Sequence, residues 1–303
     1  IQTIIGMVGD TTKIDPKAIE VEECVEKVMK VSEPYKLANR AFHPDDTIID
    51  VSGVKVGGEN LALIAGPCSV ESEEQVIEVA KAVKAAGANI LRGGAFKPRT
   101  SPYAFQGMGS SGLDILVAAK KATGLPICSE LMDAQYLDEF NEKVDLIQIG
   151  ARNMQNFRLL KDIGKSKVPV VLKRGIANTI EEWLDAAEYI MSEGNYNVVL
   201  CERGIRTFET ATRNTLDVSA VPVVKERSSL PIIIDPSHAA GKERYVAPLA
   251  LAGIAAGADG LIVEVHPKAK EAISDAAQQL SVEAFADLVQ KVGQMATIFD
   301  REM

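Results

Sequence analysis

The sequence predicts an α/β protein: a (β/α)8, or TIM, barrel carrying a short N-terminal βαβ-like extension and a hairpin. Three observations predict it. From residue 61 onward, short apolar runs alternate with stretches of helical spacing. There are eight such runs, spread over about 240 residues, which is the length such a barrel takes. The runs are continuously apolar, as strands are when helices cover a parallel sheet. A doubly wound open sheet is the alternative, but it more often has fewer strands and other loop signatures.

The elements follow in order. "QTIIGMVGD" (2–10) reads as a strand, 16–30 as a helix and "VMKVSE" (28–33) as a second strand, so residues 1–45 form a small βαβ unit with little core of its own. "DTIIDVSGVKVGGEN" (46–60) reads as a hairpin that could cap the barrel's N-terminal mouth. The barrel strands are the runs at 61–68, 89–94, 125–130, 146–152, 168–175, 197–204, 231–238 and 260–267. Helices are expected at 72–86, 113–123, 155–163, 179–192, 244–256 and 281–298. "AAGAN" and "AAGAD" each close a helix with glycine and lead into a strand.

Composition narrows the class. The chain has 303 residues, 47% hydrophobic and 25% charged, enough for a sizeable core. Four cysteines without a CxxC pair do not make a disulfide framework, so a reducing, cytoplasmic setting is expected. No apolar run is long enough to span a membrane, and no signal peptide is visible. The net charge of −9 argues against a nucleic-acid binder. It is compatible with small anionic substrates, because a site can be basic on an acidic protein.

In this fold the chemistry sits at the C-terminal ends of the strands. Read in order, these ends carry Cys68, Arg92, Glu130, Arg152, Lys173, Arg203, His238 and Glu264, with His266 just after. Closure places strand eight beside strand one, so Cys68, His238 and Glu264 come from three adjacent strands. A thiolate, an imidazole and a carboxylate at one point suit a divalent metal, and Asp275 in the following loop can supply a fourth ligand. Taken alone, Cys68 would be a small core residue; its two neighbours favour the metal. Arg92, Arg152, Lys173 and Arg203 would point into the same mouth. Unpaired buried charges are costly, so four cations call for an anion such as phosphate plus carboxylate. The competing reading pairs each cation with a local acid, Glu130, Glu202 or Asp235, and we expect it to fail for the set of four.

The loop "KPRTSPYAF" (97–105) offers Lys97, Arg99 and Thr100 around a proline-stiffened turn, suited to a second phosphate. "GMGSSG" (107–112) fits a dinucleotide motif in letters only, because it does not directly follow a strand. His43 has no partner motif, and Cys128 and Cys201 lie inside strand runs as core residues. Lys173, ringed by arginines, leaves open a Schiff-base role that needs a lowered pKa.

The motifs "AGPCS", "LRGGAFKPRTSPY", "QIGARNMQNF", "VLKRG", "LCERGIRTFE", "DPSHAAG" and "VEVHP…SD" together resemble those of 3-deoxy-D-arabino-heptulosonate 7-phosphate (DAHP) synthases, most closely the type I beta group, from about residue 33 to the end. The resemblance implies a transferase. It would condense phosphoenolpyruvate with D-erythrose 4-phosphate and water, releasing phosphate, as the first step of the shikimate pathway to aromatic amino acids. It implies metal ligands at Cys68, His238, Glu264 and Asp275, for manganese first, or iron, cobalt, zinc or cadmium. Phosphoenolpyruvate contacts fall on Arg92, Lys97, Arg152, Lys173 and Arg203. Erythrose 4-phosphate contacts fall on Lys97, Pro98, Arg99, Thr100 and Asp275. Lys97 would act as general acid, with His238 and Glu264 steering water. The sister 3-deoxy-octulosonate 8-phosphate synthases, which use arabinose 5-phosphate, have an Asn-Arg-Thr-Ser loop where this chain has "KPRTS". Residues 1–45 resemble part of an ACT-like regulatory domain, with its first half expected to be missing, and 46–303 form the catalytic barrel. A homotetramer is the family expectation, and inhibition by tyrosine or phenylalanine is plausible for such a domain.

Overall fold

Eight parallel strands close on themselves. In the computed structural model, which describes residues 3–7, 9–98, 101 and 103–303, chain order begins with a short helix α1 (Pro16–Glu20) and the strands β1 (Ile49–Val51) and β2 (Val54–Val56). The barrel follows: β3 (Ala62–Gly66), α2 (Glu73–Ala86), β4 (Ile90–Arg92), α3 (Ser110–Thr123), β5 (Ile127–Glu130), α4 (Leu137–Lys143), β6 (Leu146–Ile149), α5 (Phe157–Gly164), β7 (Val170–Lys173) and α6 (Ile180–Met191). It is completed by β8 (Val198–Glu202), α7 (Ala220–Arg227), β9 (Ile232–Ile234), α8 (Pro236–Ala240), α9 (Glu243–Ala255), β10 (Gly260–Glu264) and α10 (Val282–Ile298). The sheet order runs β3 to β10, and β10 pairs with β3 in register from Gly260↔Ala62 to Glu264↔Gly66. The eight expected strands and six expected helices are all present, each strand somewhat shorter than its apolar run.

Strand periodicity sorts the side chains into two cores. Ile64, Ile90, Cys128, Leu146, Val171, Val199, Cys201, Ile233 and Ile262 fill the barrel interior. Their neighbours in sequence, such as Leu63, Leu91, Ile127, Ile147, Leu172, Leu200, Ile232 and Val263, face the helices. The hairpin β1–β2 contributes Ile49, Val51 and Val56 to the interior cluster, so it plugs the N-terminal end as expected. Ser72 caps α2 by accepting from the Gln75 N–H, and Gly87 ends that helix with φ +112°, the conformation glycine adopts without penalty.

The first thirty-odd residues depart from expectation. No strand forms among described residues 3–9 or over 28–33, and the helix is limited to Pro16–Glu20. A strand persists only where a neighbour takes its hydrogen-bonding groups, and no β-bridge reaches residues 3–34 among the described residues. A five-residue helix that buries no side chain gains too little to extend. Tyr35 and Ala38, by contrast, belong to the outer core, and the Glu188 carboxylate on α6 accepts from the Leu37 and Ala38 N–H groups, each at 2.9 Å. Among the described residues, no helix is long and apolar enough to cross a membrane.

Candidate active site

The interior changes character two residues further along each strand. Arg92 follows the interior residue Ile90 at that spacing, Glu130 follows Cys128, Gln148 follows Leu146 and Lys173 follows Val171; Arg203 follows Cys201, Asp235 follows Ile233 and Glu264 follows Ile262. Period two aims all of them inward at the C-terminal mouth. Gly66 lets β3 approach β4 there: its φ is +152°, and a Cβ would lie 2.1 Å from Arg92 O.

Cys68, Glu264 and Asp275 offer ligand atoms that all lie within 4.8 Å of one another. Cys68 Sγ is 3.5 Å from Asp275 Oδ2. His238 completes the group from the short helix α8, with Nε2 3.5 Å from Glu264 Oε1 and 4.0 Å from Asp275 Oδ2. Its ring is fixed from behind, because Nδ1 lies 2.7 Å from Asp235 Oδ2 and the His238 N–H donates to Asp235 Oδ1 at 2.9 Å. Burial keeps the imidazole below its usual pKa despite the carboxylates beside it, leaving Nε2 free to act as a ligand. Burial alone would raise Glu264, but His238, Arg92 and Lys97 hold it down to about 2. Burial, with Glu264 adding to it, pushes the Cys68 thiol up to about 12. A buried thiol with two carboxyl groups and an oriented imidazole is a donor set that fits a divalent cation, whose charge would draw off the thiol proton.

The cations divide into two kinds. Arg92 Nη1 donates to Glu264 Oε1 at 3.0 Å and Nη2 to Cys68 O at 3.1 Å, leaving its buried Nε without a partner. Lys173 donates to Asp235 Oδ2. Local acids therefore pair two of the four cations but not the set: β4 meets the end of β10 across the mouth, and β7 meets the end of β9. Glu202 instead faces the helices, where it pairs with Arg174 at 3.0 Å. Arg203 is 7% exposed and has no hydrogen bond or ion pair among the described residues. Arg152 lies past the end of β6, in a 3-10 turn at Ala151–Asn153, and is exposed.

Lys97 stands where both halves meet. Its Nζ donates to Cys68 O at 2.7 Å and lies 3.1 Å from Cys68 Sγ. Pro98 follows, half-buried, while Arg99 and Thr100 lie outside the described residues. The bridge between Phe96 and Gly107 closes the base of this loop.

The remaining expectations resolve simply. Burial would lower the Lys173 pKa, but the adjacent Asp235 raises it above the ordinary value; this removes the lowered pKa on which a Schiff-base role depends. Cys128 and Cys201 are interior residues, all four cysteines are free, and only Cys24 is exposed. His43 is exposed. Gly109 of "GMGSSG" is the N-cap of α3 and does not directly follow a strand; its N–H donates to Ala95 O, in the loop after β4, at 2.9 Å. His266 is buried, with Nε2 3.4 Å from Glu71. Sequence reasoning missed Asp235 as the residue that orients His238. Its signal was in the letters: Asp-Pro-Ser-His places an N-cap aspartate three residues before the histidine. It also missed Gln278, whose Nε2 donates to Glu264 Oε2 at 2.7 Å, and Gln279, whose Oε1 accepts from the Cys68 N–H at 3.1 Å.

Comparison with known proteins gives a consistent result. The model of the DAHP synthetase I family matches residues 36–300, and that of the DAHP synthase ferredoxin-like domain matches residues 1–33. A phospho-2-dehydro-3-deoxyheptonate aldolase of Thermotoga maritima is 51% identical over 295 residues, covering 97% of this chain and 87% of that protein. The crystal structure of a DAHP synthase from that organism superimposes with a TM-score of 0.88 at 50% identity, covering 97% of this chain and 86% of that one. A truncated form of the Thermotoga maritima synthase gives 0.83 at 48% identity, covering 88% of this chain and 98% of that one. A 2-dehydro-3-deoxyphosphooctonate aldolase of Syntrophotalea carbinolica is more distant, 32% identical over 254 residues, covering 78% of this chain and 91% of that protein.

Proposed function

This chain belongs to the DAHP synthetase I family, and from that premise and the geometry above we propose that it condenses phosphoenolpyruvate with D-erythrose 4-phosphate and water to give DAHP and phosphate. The observation that carries the reading is the junction of two sites in one mouth. A four-donor cluster at Cys68, His238, Glu264 and Asp275 shares the C-terminal mouth with Arg203, a buried guanidinium with no partner among the described residues. Such a guanidinium is costly to bury unless an anion lies against it.

In this reading Arg92, Lys97, Arg152, Lys173 and Arg203 bind the phosphate and carboxylate of phosphoenolpyruvate. Lys97, Pro98, Arg99, Thr100 and Asp275 receive erythrose 4-phosphate. A divalent cation held by the four donors, manganese first among manganese, iron, cobalt, zinc and cadmium, would supply Lewis acidity at the aldehyde oxygen. The methylene carbon of phosphoenolpyruvate adds to the aldehyde carbon, and Lys97 Nζ gives a proton to the new alkoxide. His238 and Glu264 orient the water that adds to the resulting cationic carbon, and phosphate leaves with cleavage of its carbon–oxygen bond. The surrounding cations are fixed before reaction, so they stabilise the developing charge without reorganising. Asp235 keeps His238 and Lys173 in place throughout.

The same reading makes residues 1–45 a regulatory segment and 46–303 the catalytic barrel, working as a homotetramer in the cytoplasm. The four unbridged cysteines support a reducing compartment.

The test is phosphate release from phosphoenolpyruvate with either erythrose 4-phosphate or arabinose 5-phosphate, with chelator and with added Mn²⁺. Turnover restored by Mn²⁺ and confined to the four-carbon sugar is expected. Turnover with the five-carbon sugar alone would assign the sister reaction, and full activity in chelator would remove the metal from the mechanism. Borohydride with substrate should leave Lys173 unmodified.

A further inference from the structure

Three of the four donors sit on barrel strands or directly after them. Asp275 does not. It rides on a loop, 266–279, that leaves β10 and returns beside it. The neck of the loop is closed by the Val265–Leu280 bridge. It is also closed by the His266 N–H donating to Leu280 O at 3.0 Å and the Leu280 N–H donating to Glu264 O at 2.8 Å. At Asp275 itself φ is +51°, a left-handed conformation that aspartate adopts more readily than most residues, and the Gln278 N–H closes a turn on Asp275 O at 3.1 Å.

Two consecutive glutamines brace this part of the loop. Gln279 is wholly buried; its Oε1 accepts from the Cys68 N–H at 3.1 Å and its Nε2 donates to Ser274 O at 2.8 Å. Gln278 is 2% exposed; its Nε2 donates to Glu264 Oε2 at 2.7 Å and its Oε1 accepts from Arg213 Nη1 at 2.9 Å. Arg213 in turn lies 3.5 Å from Asp275 Oδ1. One amide thus ties the residue before Asp275 to the main chain of Cys68. The other links the Asp275 carboxylate, through Arg213, to Glu264. Burying two amides side by side is costlier than burying two apolar side chains unless both ends of each are satisfied. Both ends of each are, and what the arrangement secures is a separation between donors.

We propose that Gln278 and Gln279 are positioning residues for the cation site, holding the loop-borne Asp275 at its working distance from Cys68 and Glu264. The proposal rests on the reading of those residues as a cation site. It assigns the glutamines to affinity for the ion and not to the chemical step, because their amides bond to Cys68, Ser274, Glu264 and Arg213 and to none of Arg92, Lys97, Arg152, Lys173 and Arg203 in the proposed substrate site.

The experiment uses the full chain and Mn²⁺ alone, with free ion counted by electron paramagnetic resonance. Gln279→Met and Gln278→Met should bind Mn²⁺ about 10- to 100-fold more weakly, as loss of supporting contacts around ligands generally does. The melting temperature of the metal-free protein should stay close to wild type, and turnover should recover at saturating Mn²⁺. A purely structural role would lower the melting temperature and would not be rescued by excess ion. Arg213 is exposed, so Arg213→Ala folds whether or not the buried variants do; it should weaken Mn²⁺ in the same direction by a smaller factor. Wild-type affinity in any folded variant overturns the proposal, as does turnover that stays low at saturating Mn²⁺. Cys68→Ala separates the two readings. If wild type binds Mn²⁺ and Cys68→Ala does not, unchanged binding in the glutamine variants defeats the positioning role alone. If Cys68→Ala binds like wild type, or wild type does not bind, the cation site itself is wrong and the proposal falls with it.

Discussion

Two layers of the same barrel interior lie two residues apart and obey opposite rules. In the lower layer Ile90, Val171, Cys201, Ile233 and Ile262 pack on one another and on the hairpin. In the upper layer their strand neighbours are Arg92, Lys173, Arg203, Asp235 and Glu264, all buried to within a few per cent. The lower layer removes apolar surface from water, worth about 25 cal/mol per Å². The upper layer gathers charges whose desolvation is repaid only in part, by the Arg92–Glu264 and Lys173–Asp235 pairs. One strand therefore holds a stabilising half and a costly half. The fold tolerates the second because the first, closed below by Ile49, Val51 and Val56, is complete.

That contrast predicts opposite mutational signatures, the largest at Cys68. Cys68→Ala should lower Mn²⁺-dependent phosphate release by at least about a thousandfold, since the Lewis acid is worth several kcal/mol. Its melting temperature should stay near wild type. Ile262→Ala, two residues before Glu264 on β10, should do the reverse. Emptying that site costs about 2–5 kcal/mol, read as a fall in urea midpoint, while turnover of the folded fraction at low temperature stays close to wild type. If Ile262→Ala lost activity without losing stability, the two layers would not be separable.

The same division explains what could be read from the letters. Strand positions were legible because each apolar run carries its own boundary, and interior polarity was legible because period two is local. The pairing of Lys173 with Asp235 was not, since it depends on which strand ends face each other across a closed barrel 62 residues apart in sequence. The burial of Gln278 and Gln279 was hidden for a similar reason: loop polar residues read as solvated until the loop's return path is known. The N-terminal strands failed differently. Their apolar pattern is present in Ile4, Ile5 and Met7, yet these side chains are exposed, because a strand is a property of a pair and the pattern shows only one member.

Arg203 sharpens the comparison further. It is a buried cation with no ion pair among the described residues, and burial pulls its pKa down. Replacing it by a side chain of similar length should relieve the desolvation cost. Arg203→Met is therefore expected to leave the ligand-free protein as stable as wild type or more so, while the KM for phosphoenolpyruvate rises by about 10- to 100-fold, matching a charged hydrogen bond of about 1.5–3 kcal/mol. Loss of stability in the empty enzyme would mean that the guanidinium has a structural partner, and the anion argument would lose its main support.

The smallest effect is expected at Arg152, and its size tests how far the upper layer extends. The residue sits on the turn Ala151–Asn153 beyond the end of β6, exposed, where Arg203 is buried. Water competes for an exposed guanidinium, so an ion pair there is worth about 1 kcal/mol or less. Arg152→Ala should raise the KM for phosphoenolpyruvate only several-fold, leave kcat and the melting temperature unchanged, and lose most of its effect at high salt, where exposed charges are screened. A change in KM for the aldehyde alone would move Arg152 to the other substrate. A loss as large as that at Arg203, insensitive to salt, would show that substrate binding draws this turn inward and buries Arg152 with the ligand, making the upper layer a surface completed by the substrate.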